Sequence, residues 1–142
     1  DSGGPGKYRG GLGVKYKLRW QAPEVSASMH GDGVKNPPYG LFGGRTGSVN
    51  RPFINEGREA EVAMPSKGLF ELGDGDAYTL YASGGGGWGD PRERDPELVR
   101  VDVLNEFVSR ESAENDYGVV LTEELQVDEE ATRKLRETVT VT

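Results

Sequence analysis

Ser83–Asp90 reads SGGGGWGD, and the fold turns on how that stretch is understood. Glycine supplies no side chain to bury and loses more conformational freedom on folding than any other residue. A folded chain keeps four in a row only where backbone takes positive φ or comes very close to other backbone or a ligand. Two further blocks precede it, GGPGKYRGGLG at Gly3–Gly13 and GLFGGRTG at Gly40–Gly47. Of 22 glycines in 142 residues, all but Gly118 lie before Asp90. The blocks alternate with strand-like and helix-like patterns, so the chain does not read as a flexible linker.

The length fits one domain with a real core. Hydrophobic residues make up only 34% of the chain. Counting glycine brings it into the ordinary apolar range, which points to a small core, much irregular backbone and help from a partner. Cysteine is absent, which excludes disulfides and thiolate metal sites and fits a reducing cytoplasm. No apolar run approaches ~18 residues, so no membrane span is expected. The N-terminal DSGGPGKY has no apolar signal-peptide core, and it reads as cut from something longer. Residues 1–89 carry ten basic and nine acidic side chains, and residues 90–142 carry seven and fifteen. So acidic an end repels phosphate backbones and argues against a nucleic-acid partner.

Val14–Trp20, VKYKLRW, alternates strictly and predicts a strand. Its Lys15, Lys17 and Arg19 face is either solvated or set against an acidic partner. Gln21–Gly33 has weak periodicity and reads as a polar loop around His30, the lone histidine. Phe53–Ile54 and Ala60–Met64 predict brief strands. Gly68–Leu72 and Ala77–Ala82 flank GDGD at 73–76, which predicts a hairpin. Asp95-Pro96-Glu97 marks a helix start. Leu98, Val101, Leu104, Phe107 and Val108 then recur at helical spacing. Ser109 opens a second short helix ended by Gly118, and Val119–Leu121 reads as a short buried extended piece. Asp128 starts a last helix with Glu129/Arg133 and Glu130/Lys134 pairs and a thin apolar stripe of Ala131, Leu135 and Val139. A stripe this thin implies loose packing or docking on another chain.

Few residues offer chemistry. Gly84, Gly86 and Gly89 spell GxGxxG, but Asp90-Pro91 and RER intervene before any helix, so the context of a dinucleotide loop fails. No P-loop exists, and the single histidine has no nucleophile motif around it. No metal site is expected, and catalytic residues remain unknown at this level. Arg9 and Arg45 stand out because each sits inside a glycine block, where a guanidinium fork can hold a carboxylate, a phosphate or backbone carbonyls. Asp90 is placed to tie back loop N–H groups. Stapling of loops is the plainer reading of all three.

The ordered set DSGGPGKYRGGLG (Asp1–Gly13), PPYGLFGGRTGSVNR (Pro37–Arg51), SGGGGWGDPRERDPELVRVDVLNEFVS (Ser83–Ser109) and YGVVL (Tyr117–Leu121) resembles the C-terminal part of the hydantoinase B/oxoprolinase family. That family includes the B component of N-methylhydantoinase, the C-terminal half of 5-oxoprolinase and the large subunits of acetone-type carboxylases. Residues 122–142 carry no motif of this resemblance. Members are several times longer, so the resemblance implies a split subunit or a fragment. It further implies an ATP-dependent cyclic-amide hydrolase working as a complex, with a ketone carboxylase as the close alternative. The implied partners are a larger hydantoinase B-like chain and an actin-like-fold ATPase. ATP and a divalent metal would sit on those partners, with no cofactor on this chain. A structural assembly module without catalytic residues is the alternative from another class.

The expected fold is mainly β with C-terminal helices, an α+β chain. Strands in a barrel-like or sandwich arrangement join glycine-rich, polyproline-like segments over residues 1–94. Residues 95–142 form an acidic helical region of the same domain. Tyr8, Tyr39, Phe42 and Trp88 lie in or beside glycine blocks, where cover is scarce, and are expected to anchor a partner.

Overall fold

A computed structural model describes residues 1–138; the proposed stripe residue Val139 lies outside the described residues. Six strands form two antiparallel sheets. They are β1 (Lys15–Arg19), β2 (Val25–His30), β3 (Arg51–Ile54), β4 (Val62–Ala63), β5 (Lys67–Leu72) and β6 (Ala77–Tyr81). One sheet has the order β1-β6-β3-β4, and the other pairs β2 with β5. Both are open, so of the two expected arrangements the chain takes the two-sheet one and not a closed barrel. Ile54, Met64 and Leu72 are buried together, with Trp20, Val25, Ala27, Met29, Phe70 and Tyr78 packed around them.

Two expectations fail here. Residues 21–33 are not a polar loop, since β2 occupies Val25–His30. Val25, Ala27 and Met29 are half-buried while Ser26, Ser28 and His30 are exposed. The alternation is real, but alanine and serine make it faint. The GDGD segment is also not a hairpin turn. It carries the chain from β5 in one sheet to β6 in the other. Asp76 closes the turn by accepting from Gly73 N at 2.7 Å. Turn chemistry specified the reversal, whereas partner choice came from the shared core. Asn55, buried and at φ +54°, secures the crossing. Its side chain donates to Asp76 Oδ1 at 2.8 Å and accepts from Ala77 N at 3.0 Å.

The glycine blocks form a third element, a mesh held mainly by backbone-to-backbone bonds. Gly4 N donates to Gly85 O at 2.8 Å, and Gly85 N to Gly11 O at 2.9 Å. Arg45 N donates to Pro5 O at 2.7 Å, Gly87 N to Arg45 O at 2.9 Å, and Leu41 N to Gly87 O at 2.9 Å. Residues 84–87 thus run between the other two blocks and bond to both. None of those four glycines takes positive φ. Space is what excludes a side chain: a Cβ on Gly86 would collide with the carbonyl of Tyr39, on Gly87 with Pro5, and on Gly84 with Ser2.

Beyond the mesh, Asp90 caps a single 3-10 turn at Pro91–Glu93. The helices follow as α1 (Pro96–Leu104), α2 (Arg110–Asn115) and α3 (Glu129–Thr138). Asp95 caps α1 by accepting from Glu97 N at 2.8 Å, and Ser109 caps α2. Val99, Val103, Val108, Ala113, Tyr117 and Val119 make the helical core. The helical stripe read from sequence lies mostly on the wrong side. Leu98, Val101 and Leu104 are exposed, and α1 buries Val99, Asp102 and Val103 instead. A helix apolar on two faces cannot announce which one goes inward.

On α3, Lys134 pairs with Glu130 at 2.5 Å as expected, but Arg133 takes Glu137 and not Glu129. Polar ties hold this helix. Thr132 Oγ1 accepts from Val120 N at 3.0 Å, and Arg136 donates to the carbonyls of Tyr117 and Arg94 at 3.2 and 2.8 Å.

Candidate functional site

Arg9 leaves the first glycine block and reaches Asp102 on α1. Its Nε donates to one carboxylate oxygen at 3.1 Å and Nη2 to the other at 3.3 Å. Nη1 donates to Gly10 O at 2.9 Å, and the guanidinium lies 5.5 Å over the Phe107 ring. Arg94 meets the same carboxylate at 2.9 Å and donates to Lys7 O at 3.1 Å. Asp102 is only 6% exposed, so this is a nearly dry Arg–Asp–Arg triad joining mesh to helices. Tyr117 lies fully buried nearby. Burial pushes its phenol up to about 12; Asp102 adds to the rise, while Arg94 and Arg9 oppose it. Its hydroxyl has no hydrogen-bond partner among the described residues.

Arg45 leaves the second block and pairs with Asp116 at the end of α2. Asp116 also accepts from Ser112 Oγ at 2.7 Å. Asp90 does not bind loop glycines; its carboxylate accepts from Arg92 N at 2.9 Å. Arg45, Asp90, Arg92, Glu93 and Arg136 line a cleft of about 490 Å³ beside Gly43. Arg94, Asp102 and Tyr117 were missed by sequence reasoning. Nothing in the one-dimensional pattern sets a helical aspartate opposite an arginine 93 positions earlier.

The aromatic residues gather on the open face of the mesh. Trp88 is the hub, with Tyr8 and Phe42 each 5.5 Å away, centroid to centroid. Phe42 holds φ +52°, a costly conformation for an aromatic residue. The turn Leu41–Gly44 that imposes this presents its ring outward, 77% exposed. Tyr8, Tyr39, Leu41 and Trp88 are exposed as well. Because the mesh offers no side-chain cover, these rings stand on backbone and face solvent.

Among the described residues no group of three His, Cys, Asp or Glu could hold a metal. His30 Nε2 sits 3.0 Å from Ser28 Oγ on the exposed face of β2, and among the described residues no carboxylate bonds to the ring. The arrangement suits recognition: half-buried arginines brace a backbone mesh that displays an aromatic platform. No helix among the described residues is long and apolar enough to cross a membrane.

Known proteins place this geometry. The chain is 37% identical over 134 residues to the B component of a putative D-/L-hydantoinase of Pseudomonas sp. strain NS671, spanning 93% of this chain and 22% of that one. It overlays on the crystal structure of ATP-dependent caprolactamase from Pseudomonas jessenii with a TM-score of 0.80 at 28% identity, over 96% of this chain and 24% of that one. The nucleotide-free structure of acetone carboxylase gives 0.73 at 28% identity, over 98% and 23%. The chain therefore spans about a quarter of the length of the curated relatives it matches. The Hydantoinase B/oxoprolinase family model matches residues 1–91, which include all three glycine blocks, and the chain belongs to that family.

Proposed function

We propose that this chain is the C-terminal part of the hydantoinase B component of an ATP-dependent cyclic-amide hydrolase, working in a multi-subunit complex. The observation that carries the reading is the overlay on the caprolactamase, which covers nearly all of this chain and only a quarter of that one. The remaining portion supplies most of the active-site chemistry, and an actin-like-fold ATPase partner holds ATP and a divalent metal. This chain contributes the mesh and its platform. Tyr8, Phe42 and Trp88, with Tyr39, are the anchors that pack against the larger portion, with the acidic helices at the periphery. Fully desolvated aromatic anchors are worth about 2 kcal/mol or more each.

The test is reconstitution. Ring opening of hydantoin, oxoproline or a lactam is expected only with all components and ATP present. Robust turnover by this chain alone would sink the proposal. Similarity to acetone carboxylase over 98% of the chain supports a ketone carboxylase as the second reading. Carboxylation of a ketone with bicarbonate by the same complex, without ring opening, decides for it. Arg9 and Arg45 both pair with carboxylates of their own chain, which supports an assembly role for them. Arg45→Ala is expected to lower complex stability and turnover together. Loss of turnover with assembly and melting unchanged would make Arg45 a ligand-binding residue.

A further inference from the structure

Among the described residues, β1 is the outer strand of the four-stranded sheet and pairs only with β6. Val14 O accepts from Ala82 N at 2.8 Å and Trp20 N donates to Asp76 O at 2.9 Å. That parity turns the backbone groups of Val14, Tyr16, Leu18 and Trp20 toward β6. The N–H and C=O groups of Lys15, Lys17 and Arg19 therefore point outward along a free edge, without backbone partners among the described residues. Every residue of β1 is exposed, and Val14 and Leu18 are 60% and 53% exposed. An open edge beside exposed apolar side chains is a template for strand addition.

Charge decides what can add. Lys15 is drawn across the sheet to Glu56 at 3.1 Å and to the Tyr81 hydroxyl at 2.6 Å. Lys17 and Arg19 have no ion pair among the described residues. They form a small basic row on a chain of net charge −7. A second copy pairing edge to edge would set Lys17 and Arg19 against the same residues of its twin. Like charges opposite one another destabilise a ladder, so self-pairing is disfavoured. The occupant that fits is a strand alternating apolar and acidic residues. About three quarters of the length of the matched relatives lies outside this chain, long enough to supply such a strand.

We propose that the free edge of β1 is completed by a strand of the remaining hydantoinase B polypeptide, its carboxylates against Lys17 and Arg19 and its apolar residues beside Val14, Tyr16 and Leu18. This rests on the reading of the chain as one part of a hydantoinase B component.

The experiment is residue-resolved hydrogen exchange on the assembled complex. The Lys17 amide is expected to exchange at least 100-fold more slowly than a free amide. Lys17→Pro removes that outward donor without touching a β1–β6 bond and is expected to weaken assembly at least tenfold. Lys17→Glu alters no backbone group, keeps the fold and should weaken assembly as well. Assembly unchanged in Lys17→Glu, or a Lys17 amide exchanging freely while the amides around Trp88 are protected, overturns this inference and leaves the proposed function standing. A purified complex that lacks any larger hydantoinase B portion overturns both. Protection of β1 in this chain alone that grows with its concentration identifies a second copy as the occupant and also overturns it.

Discussion

The glycine mesh and the helical core hold the same chain together by opposite means. In the helical core, six buried side chains from Val99 to Val119 fill space. In the mesh, side chains are excluded and backbone amides meet backbone carbonyls directly. A side-chain core tolerates loss of volume at a graded cost, since neighbours relax. A mesh of contacting backbones has nothing that can give way when volume is added. The difference teaches where each region is fragile, and it explains how a chain with only 34% hydrophobic residues stays folded.

The sharpest way to break this comparison is Gly86→Ala. The added methyl meets the carbonyl of Tyr39, and the cost is expected to reach roughly 4–5 kcal/mol or more, which is exceptional for one residue. Gly11, with no atom within 4 Å of its would-be Cβ, is the control, and Gly11→Ala should stay within about 0.5 kcal/mol. Denaturant titration of both variants checks the claim. Equal effects would show that composition matters and geometry does not.

Next is the joint between the regions. Asp102→Ala strands Arg9 and Arg94 at 15% and 12% side-chain exposure with no counter-charge. The expected loss is about 3–5 kcal/mol. Loss of protection should appear in both the Gly3–Gly13 block and α1 by hydrogen exchange. A loss confined to α1 would mean the triad serves the helices alone.

A graded response is expected in the helical core. Val99 is fully buried, and Val99→Ala should cost about 2 kcal/mol, read by the same titration. At neutral pH the smallest effect belongs to Tyr117. Its phenol titrates at about 12 in the fold against an ordinary 10, so the folded state holds its proton more tightly. That advantage is whole below pH 10 and is lost as pH rises toward 12. Melting temperature should therefore fall across that interval in the wild type and fall less in Tyr117→Phe. At neutral pH the same variant removes an unpartnered buried hydroxyl and should melt at or slightly above wild type.

Much of this was legible in the residues. The strand alternation at Val14–Trp20, the caps at Asp95 and Ser109, and the ordered glycine blocks rest on local rules or on consecutive motifs. What was not legible depends on distant neighbours. Partner choice for β5 and β6, the inward face of α1, the acceptance of Arg9 by Asp102 and the capping role of Asp90 all depend on what another segment presents.

By itself the sequence determined that the glycine blocks must be crowded or strained, because no other use balances their conformational cost. It also determined the helix starts and the family. Only the tertiary structure decided that crowding is the reason at Gly84–Gly87, since none of these takes positive φ and each added Cβ would meet backbone or closely approach it. It likewise decided that β1 keeps a free basic edge and that the aromatic rings share one face. Hydrogen-bond direction and burial are properties of pairs of segments, and a single chain of letters carries only one member of each pair at a time.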